Sequence, residues 1–214
     1  MPYKPDEREY RAMPMLTSSP QKRIDCENYI EGYATTFDDP YLLCSWDGVD
    51  YYEIIDRHAL DNADISDVIM QYDHNGRVRA RTSNNTLGLD IDDHGFFVYA
   101  DLTRSGAAKE LYEDVSAGLI TKMSWAFTVA EDAYDKNTHT RTILKVKKVY
   151  DVSAVSMPAN PSTDISARSY AEGRSEAEKR EALERAEKQA AINIKRKKLI
   201  LKLKLEEQHE SEKA

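Results

Sequence analysis

Apolar and polar positions alternate in different rhythms along this 214-residue chain, and the changes of rhythm divide it. Residues 1–25 hold Pro2, Pro5, Pro14 and Pro20 without sustained periodicity, which predicts a flexible N-terminal arm, extended or disordered. A period of two follows: Tyr29-Ile30-Glu31-Gly32-Tyr33-Ala34 reads as a strand, Phe37-Asp38-Asp39-Pro40 as a turn, and Tyr51-Tyr52-Glu53-Ile54-Ile55 as a second strand. Asp61 to Ile69 is a short helix or a loop, with Asn62 or Asp64 as cap. The apolar strand Val68 to Tyr72 ends in the polar Asp73-His74-Asn75-Gly76. Leu87 to Ile91 and Phe96 to Leu102 flank the turn Asp92-Asp93-His94-Gly95, the pattern of a hairpin in a β-meander.

Ser105 to Ala117 changes period, with Ala108, Leu111, Tyr112 and Val115 at helical spacing, Ser105 or Thr103 as cap and Gly118 as terminator. Ile120 to Val129, Thr142 to Val149 and Tyr150 to Val155 return to strand patterns, the first two separated by the polar loop Glu131 to His139. The body is therefore mostly β with one or two helices. Beyond Pro158-Ala159-Asn160-Pro161 the composition shifts. From Ser175 the apolar Leu183, Ala186, Ala190, Ile194, Leu201 and Leu205 lie on a loose helical stripe among Glu, Lys and Arg, which predicts a long exposed helix or a short coiled coil. Leu199 to Leu205 also alternates with period two, so a strand is the competing reading there.

Composition sharpens this division. Apolar residues make up 41% and charged residues 32% of the chain, with a mean hydropathy of -0.68, so part of it should lie outside any core. No apolar run has the length of a membrane span, and the N-terminus lacks the apolar stretch of a signal peptide, so a soluble cytoplasmic protein is expected. Cys26 and Cys44, with no CxxC spacing, read as reduced apolar residues rather than a disulfide or thiolate metal site. The net charge of -8 is uneven: residues 170–214 carry 12 Lys+Arg and 10 Asp+Glu, leaving 18 and 28 for the rest. An acidic body argues against nucleic acid as main partner, and Lys195-Arg196-Lys197-Lys198 reads as a solvated helical turn. No cofactor or metal is expected, because neither a ligand cluster nor a Gly-rich phosphate loop is present in the sequence.

Acyl transfer by a serine needs a hydroxyl, a base for its proton and a group that orients the base. Five histidines are available. His209 lies in the charged tail, His139 in a polar loop and His94 in a tight turn, while His58 and His74 remain as candidates. His74 stands at a strand end, where a side chain can face a cleft. Ser124 sits in the apolar Met123-Ser124-Trp125-Ala126-Phe127, either as a tolerated small residue or as a functional one. Asp151, inside Val149-Tyr150-Asp151-Val152-Ser153-Ala154-Val155, is an acid in a strand that requires a partner if buried.

The order of these segments resembles the prohead maturation proteases of tailed phages, which are similar to the herpesvirus assemblins. The resemblance runs from Ile30 to Arg168. It rests most on Gly118-Leu119-Ile120-Thr121-Lys122-Met123-Ser124-Trp125-Ala126-Phe127, followed by Asp151-Val152-Ser153-Ala154-Val155-Ser156-Met157-Pro158-Ala159-Asn160-Pro161. The resemblance implies Ser124 as nucleophile, His74 as general base and Asp151 as the acid that orients it. Three positions depart from the family: glutamate is frequent where Asp151 stands, a smaller aliphatic at Trp125 and glycine at Ala126. The shorter Asp151 must reach the imidazole by another rotamer or backbone offset. Asp73 is a weaker substitute, because adjacent strand residues point to opposite faces.

The implied fold is an assemblin-like closed β-barrel core flanked by helices, over residues 26–168, with a charged helical or coiled-coil tail over 169–214. The implied function is serine endopeptidase, cleaving scaffold and capsid-protein propeptide segments, and itself, inside the assembling prohead in the host cytoplasm. Its partners would be the major capsid protein and scaffold, with self-association left open. For the oxyanion, amides after Val155 or Arg77 or Arg79 are the candidates. The rival reading is a non-enzymatic scaffolding or assembly protein, and a binder of nucleic acid through the basic tail is a third.

Overall fold

A computed structural model describes residues 8–14, 22–156 and 161–211. Its elements in chain order are β1 (Glu9–Pro14), β2 (Tyr29–Thr36), β3 (Tyr41–Trp46), β4 (Val49–Ile55), β5 (Ile69–Tyr72), β6 (Asn75–Arg81), β7 (Leu87–Ile91), β8 (Gly95–Asp101), α1 (Gly106–Ser116), β9 (Lys122–Asp135), β10 (Thr140–Val155) and α2 (Pro161–Ser211). By contacts the chain forms two units, Met1–Ala171 and Glu172–Ala214. The second is a helical segment with Leu183, Ile192, Ile194, Leu199 and Ile200 exposed.

The first unit is built around β9 and β10, an antiparallel pair whose register runs from Thr140 opposite Asp135 to Val155 opposite Lys122. On its other edge β10 is shared: β4 runs parallel to it over Thr140 to Ile143, and β5 runs parallel to it over Asp151 to Ala154. Strands β1 and β3 are the outer members of the main path, β1-β9-β10-β4-β3, and β6 hangs on β5. A second sheet, β2-β8-β7, is antiparallel throughout. Side chains of both sheets, among them Ile30, Phe96, Met70, Trp125, Phe127 and Val152, share one core cluster. The fold is thus α+β and mostly β. Among the described residues no pairing closes either sheet, so the ladders form two sheets with free edges where a closed barrel was expected.

Helix α1 starts where the sequence predicts, because the Ser105 hydroxyl accepts a hydrogen bond from the Ala108 amide at 3.1 Å. It buries Ala107, Ala108, Leu111 and Val115, and Gly118 follows it at a left-handed φ of 73°. Strands β3 and β6 escaped the sequence reading because β3 is half-buried with no buried residue and β6 is largely exposed, and a strand that buries little shows little alternation. Strand β9 extends into the expected loop as far as Asp135, and β10 begins at Thr140, directly after that loop. Their polar ends pair as a half-exposed ribbon, with Lys145 Nζ 2.5 Å from Glu131. Asp61 to Ile69 contains no helix, and α2 begins at Pro161 rather than Ser175, with proline in the first turn where its missing N–H costs nothing.

The N-terminal segment differs most from expectation. Glu9–Pro14, expected inside a flexible arm, is a strand paired along β9. Its two charges are fully enclosed. Arg11 makes a two-pronged contact with Glu53, Nε to Oε1 at 2.5 Å and Nη2 to Oε2 at 2.7 Å, and reaches Glu9 at 2.7 Å. Arg141 binds Glu9 at 2.6 and 3.0 Å and Asp132 at 2.7 Å, and lies 4.5 Å from the centre of the Tyr170 ring. The Tyr41 hydroxyl donates to Glu53. Burial alone would raise the Glu9 carboxyl, but the Arg11 and Arg141 guanidiniums outweigh it and hold Glu9 below its ordinary value. Buried charges persist only when paired and hydrogen-bonded in this way, so each member fixes β1 to the body.

Candidate active site

The site forms on one face of the main sheet. In antiparallel ladders directly opposed residues share a face, and Ser124 of β9 lies opposite Ala12 of β1 and Ser153 of β10. Next along that face, Ala126 lies opposite Tyr10 and Asp151. A bulge sets this phase: Val149 pairs with Phe127 and Asp151 with Ala126, so Tyr150 is the extra residue on β10. The other face carries Trp125 and Phe127, stacked with centroids 3.9 Å apart, and these belong to the core.

His74 arrives from the hairpin joining β5 to β6. Tyr72 pairs with Asn75, leaving Asp73 and His74 as a two-residue turn with φ of 47° and 55°. Positive φ at both positions is the primed turn that suits the twist of a tight hairpin and is usually filled by Asn and Gly. With side chains other than Gly, each such residue costs on the order of 1 kcal/mol, a strain that the surroundings must hold. They do so through Asp73, whose amide donates to the Ala154 carbonyl at 3.0 Å. Its carboxylate accepts from the Ser156 amide at 3.0 Å and the Ser156 hydroxyl at 2.9 Å. Asp73 therefore ties the turn to the end of β10, while the carboxylate that bonds the imidazole is that of Asp151.

From that turn the His74 ring reaches back over the sheet, its side chain 4% exposed. Nδ1 bonds Asp151 Oδ1, and Nε2 lies 2.7 Å from Ser124 Oγ. Facing a carboxylate, Nδ1 carries the proton, which leaves Nε2 as acceptor for the Ser124 hydroxyl. The Tyr10 ring meets the imidazole edge-on, with centroids 4.6 Å apart. Ser153 Oγ donates to the same Asp151 Oδ1 at 2.7 Å. The three residues singled out from the sequence, Ser124, His74 and Asp151, are thus brought into one hydrogen-bonded line across 77 positions of chain.

Three other histidines of the first unit lie away from this line. His58 is exposed beside Asp61 at 3.1 Å, His94 packs on Tyr33, and His139 bonds the Tyr134 hydroxyl at 3.0 Å. Of the oxyanion candidates, Arg77 is exposed and Arg79 donates to the Ala107 carbonyl at 2.5 Å. The Ser156 amide is engaged by Asp73, and Met157 to Asn160 lie outside the described residues. Neither cysteine is in a disulfide among the described residues, and the Cys26 thiol is pushed up by burial and by the neighbouring Asp101. Among the described residues no group of His, Cys, Asp and Glu is arranged to hold a metal ion, and no helix is long and apolar enough to cross a membrane.

Ser153 and Tyr10 were not singled out from the sequence. For Ser153 a signal existed, since a residue two positions from Asp151 on a strand shares its face. For Tyr10 none did, because β1 pairs with a strand more than 100 positions away in sequence.

The family model of the caudovirus prohead serine proteases matches residues 17–176, and the chain belongs to that family. It is accordingly a serine protease of phage capsid maturation. Among solved structures it is similar to the capsid assembly protease gp21 of bacteriophage T4, at 12% identity over 72% of this chain and 100% of that one, with a TM-score of 0.41. No curated protein matches it.

Proposed function

We propose that Ser124 is the nucleophile of this protease, His74 its general base and Asp151 the acid that holds the imidazole. The observation that carries the reading is the buried line Ser124 Oγ, His74 Nε2, His74 Nδ1, Asp151 Oδ1. His74 takes the Ser124 proton through Nε2 as Oγ attacks a peptide carbonyl carbon. The tetrahedral intermediate collapses to an acyl-enzyme, and the same proton passes to the departing amine. Water, deprotonated by His74, then releases the acid and restores the hydroxyl. Asp151 stays ionised and balances the imidazolium.

The substrates are the scaffold and the propeptide segment of the major capsid protein, met inside the assembling prohead, and the chain itself. Residues 170–214 recruit the enzyme into the shell by helical contacts, a role that suits the exposed Leu183, Ile192, Ile194, Leu199 and Ile200. The test is intact mass over time for wild-type and Ser124→Ala protein at high concentration, alone and with capsid protein. Shortening and capsid-protein processing by the wild type alone support the reading. Equal processing by Ser124→Ala, or none by the wild type even with capsid protein, replaces it with the scaffold reading.

A further inference from the structure

We propose that Ser153 is a positioning residue of this protease, whose hydroxyl fixes the Asp151 carboxylate in the orientation that holds His74. The inference rests on the Ser-His-Asp reading above and adds a fourth side chain to it.

Ser153 is fully buried, and its hydroxyl donates to Asp151 Oδ1 at 2.7 Å. That same oxygen receives His74 Nδ1. Two donors therefore converge on one carboxylate oxygen, from the same strand and from the β5–β6 turn. An aspartate carboxylate turns broadly about its terminal torsion, so a single donor leaves its plane poorly defined, while a second narrows it.

The bond has no evident value to the fold. It links residues two apart on one strand, and so joins no element to another. A buried hydroxyl bond of this kind adds little net stability, and alanine would fit the same strand position. What the bond does restrain is the Asp151 rotamer, hence the ring it faces. The ring's surroundings supply little else: Asp151 comes from β10, Ser124 from β9 and the Tyr10 ring from β1, and Asp73 of its own turn is engaged with Ser156. Placement of His74 Nε2 against Ser124 therefore depends on how firmly Asp151 is aimed.

The test compares wild-type, Ser153→Ala and Ser153→Thr chains in two measurements. One is the rate of Ser124 labelling by a fluorophosphonate, read by intact mass, which needs an activated hydroxyl but no identified substrate. The other is the nitrogen-15 NMR spectrum of His74, which reports the tautomer of the ring. The expected result for Ser153→Ala is labelling on the order of 10- to 100-fold slower at unchanged thermal stability, as for small misplacements of reacting groups. Its His74 spectrum should shift from a dominant Nδ1–H tautomer to a mixture, and Ser153→Thr should restore both readouts. Labelling within twofold of wild type, or slow labelling with the wild-type His74 spectrum, overturns the proposal. If Ser153→Ala does not fold, Ser153→Thr decides: a wild-type spectrum and rate uphold the proposal and a mixed tautomer overturns it. A wild-type chain left unlabelled at Ser124 instead overturns the Ser-His-Asp reading itself.

Discussion

The ring of Tyr10 meets the ring of His74 edge-on, with centroids 4.6 Å apart and planes at 70°. A residue near the N-terminus thus packs on the imidazole that bonds Ser124. The contact is aromatic, so Tyr10→Phe should leave fluorophosphonate labelling of Ser124 near wild type. Tyr10→Ala should slow it by about two- to tenfold, from the roughly 0.5–1.5 kcal/mol that such ring pairs supply.

Asp151→Asn keeps the shape of the site but removes the charge that balances the imidazolium and the acceptor that selects its tautomer. Labelling and self-shortening should fall by about 10⁴-fold, while His74→Ala should fall at least as far. Circular dichroism of both variants should match the wild type, since the changes lie on the site face rather than in the core.

Glu53 joins β4 to β1 through Arg11 and is itself fully buried. Glu53→Ala leaves Arg11 without its two-pronged partner, and the cost should be about 3–5 kcal/mol by denaturant titration. Removal of residues 1–14 should likewise lower the melting temperature, which loss of a flexible arm would not do.

The depressed Glu9 carboxyl gives a pH dependence of definite sign. Its stabilising contribution is complete above the unfolded value, about 4.3, and disappears as pH falls through that value towards the lower folded one. Unfolding midpoints measured from pH 6 to 3 should fall at the acid end, and Glu9→Gln should lie lower at pH 6 but fall less steeply.

At Asp73 a left-handed backbone coincides with the tether to Ser156. Asn tolerates that backbone and can keep the contacts, whereas Ala does neither. Asp73→Asn should therefore label at close to the wild-type rate, and Asp73→Ala should lose about 1–3 kcal/mol of stability and label more slowly.

Much of the site was legible in the chain because three residues break local rules: Asp151 is an acid in an apolar strand, Ser124 a hydroxyl in another, and His74 a strand-end imidazole. Periodicity likewise marked β2, β5, β7, β8, α1 and the tail helix, since each buries one face or exposes a distinctive composition. The edge strands β3 and β6 left no such mark, because alternation records burial and they bury little. What only tertiary structure decided is register and partnership. The Tyr150 bulge, invisible in composition, places Asp151 opposite Ala126 and Ser153 opposite Ser124, and a shift of one residue would turn both to the other face. The N-terminal segment reads as disordered because its proline, arginine and glutamate have no local partner. It becomes a strand because Glu53 and Arg141, distant in sequence, supply buried charges that only the folded chain brings to it.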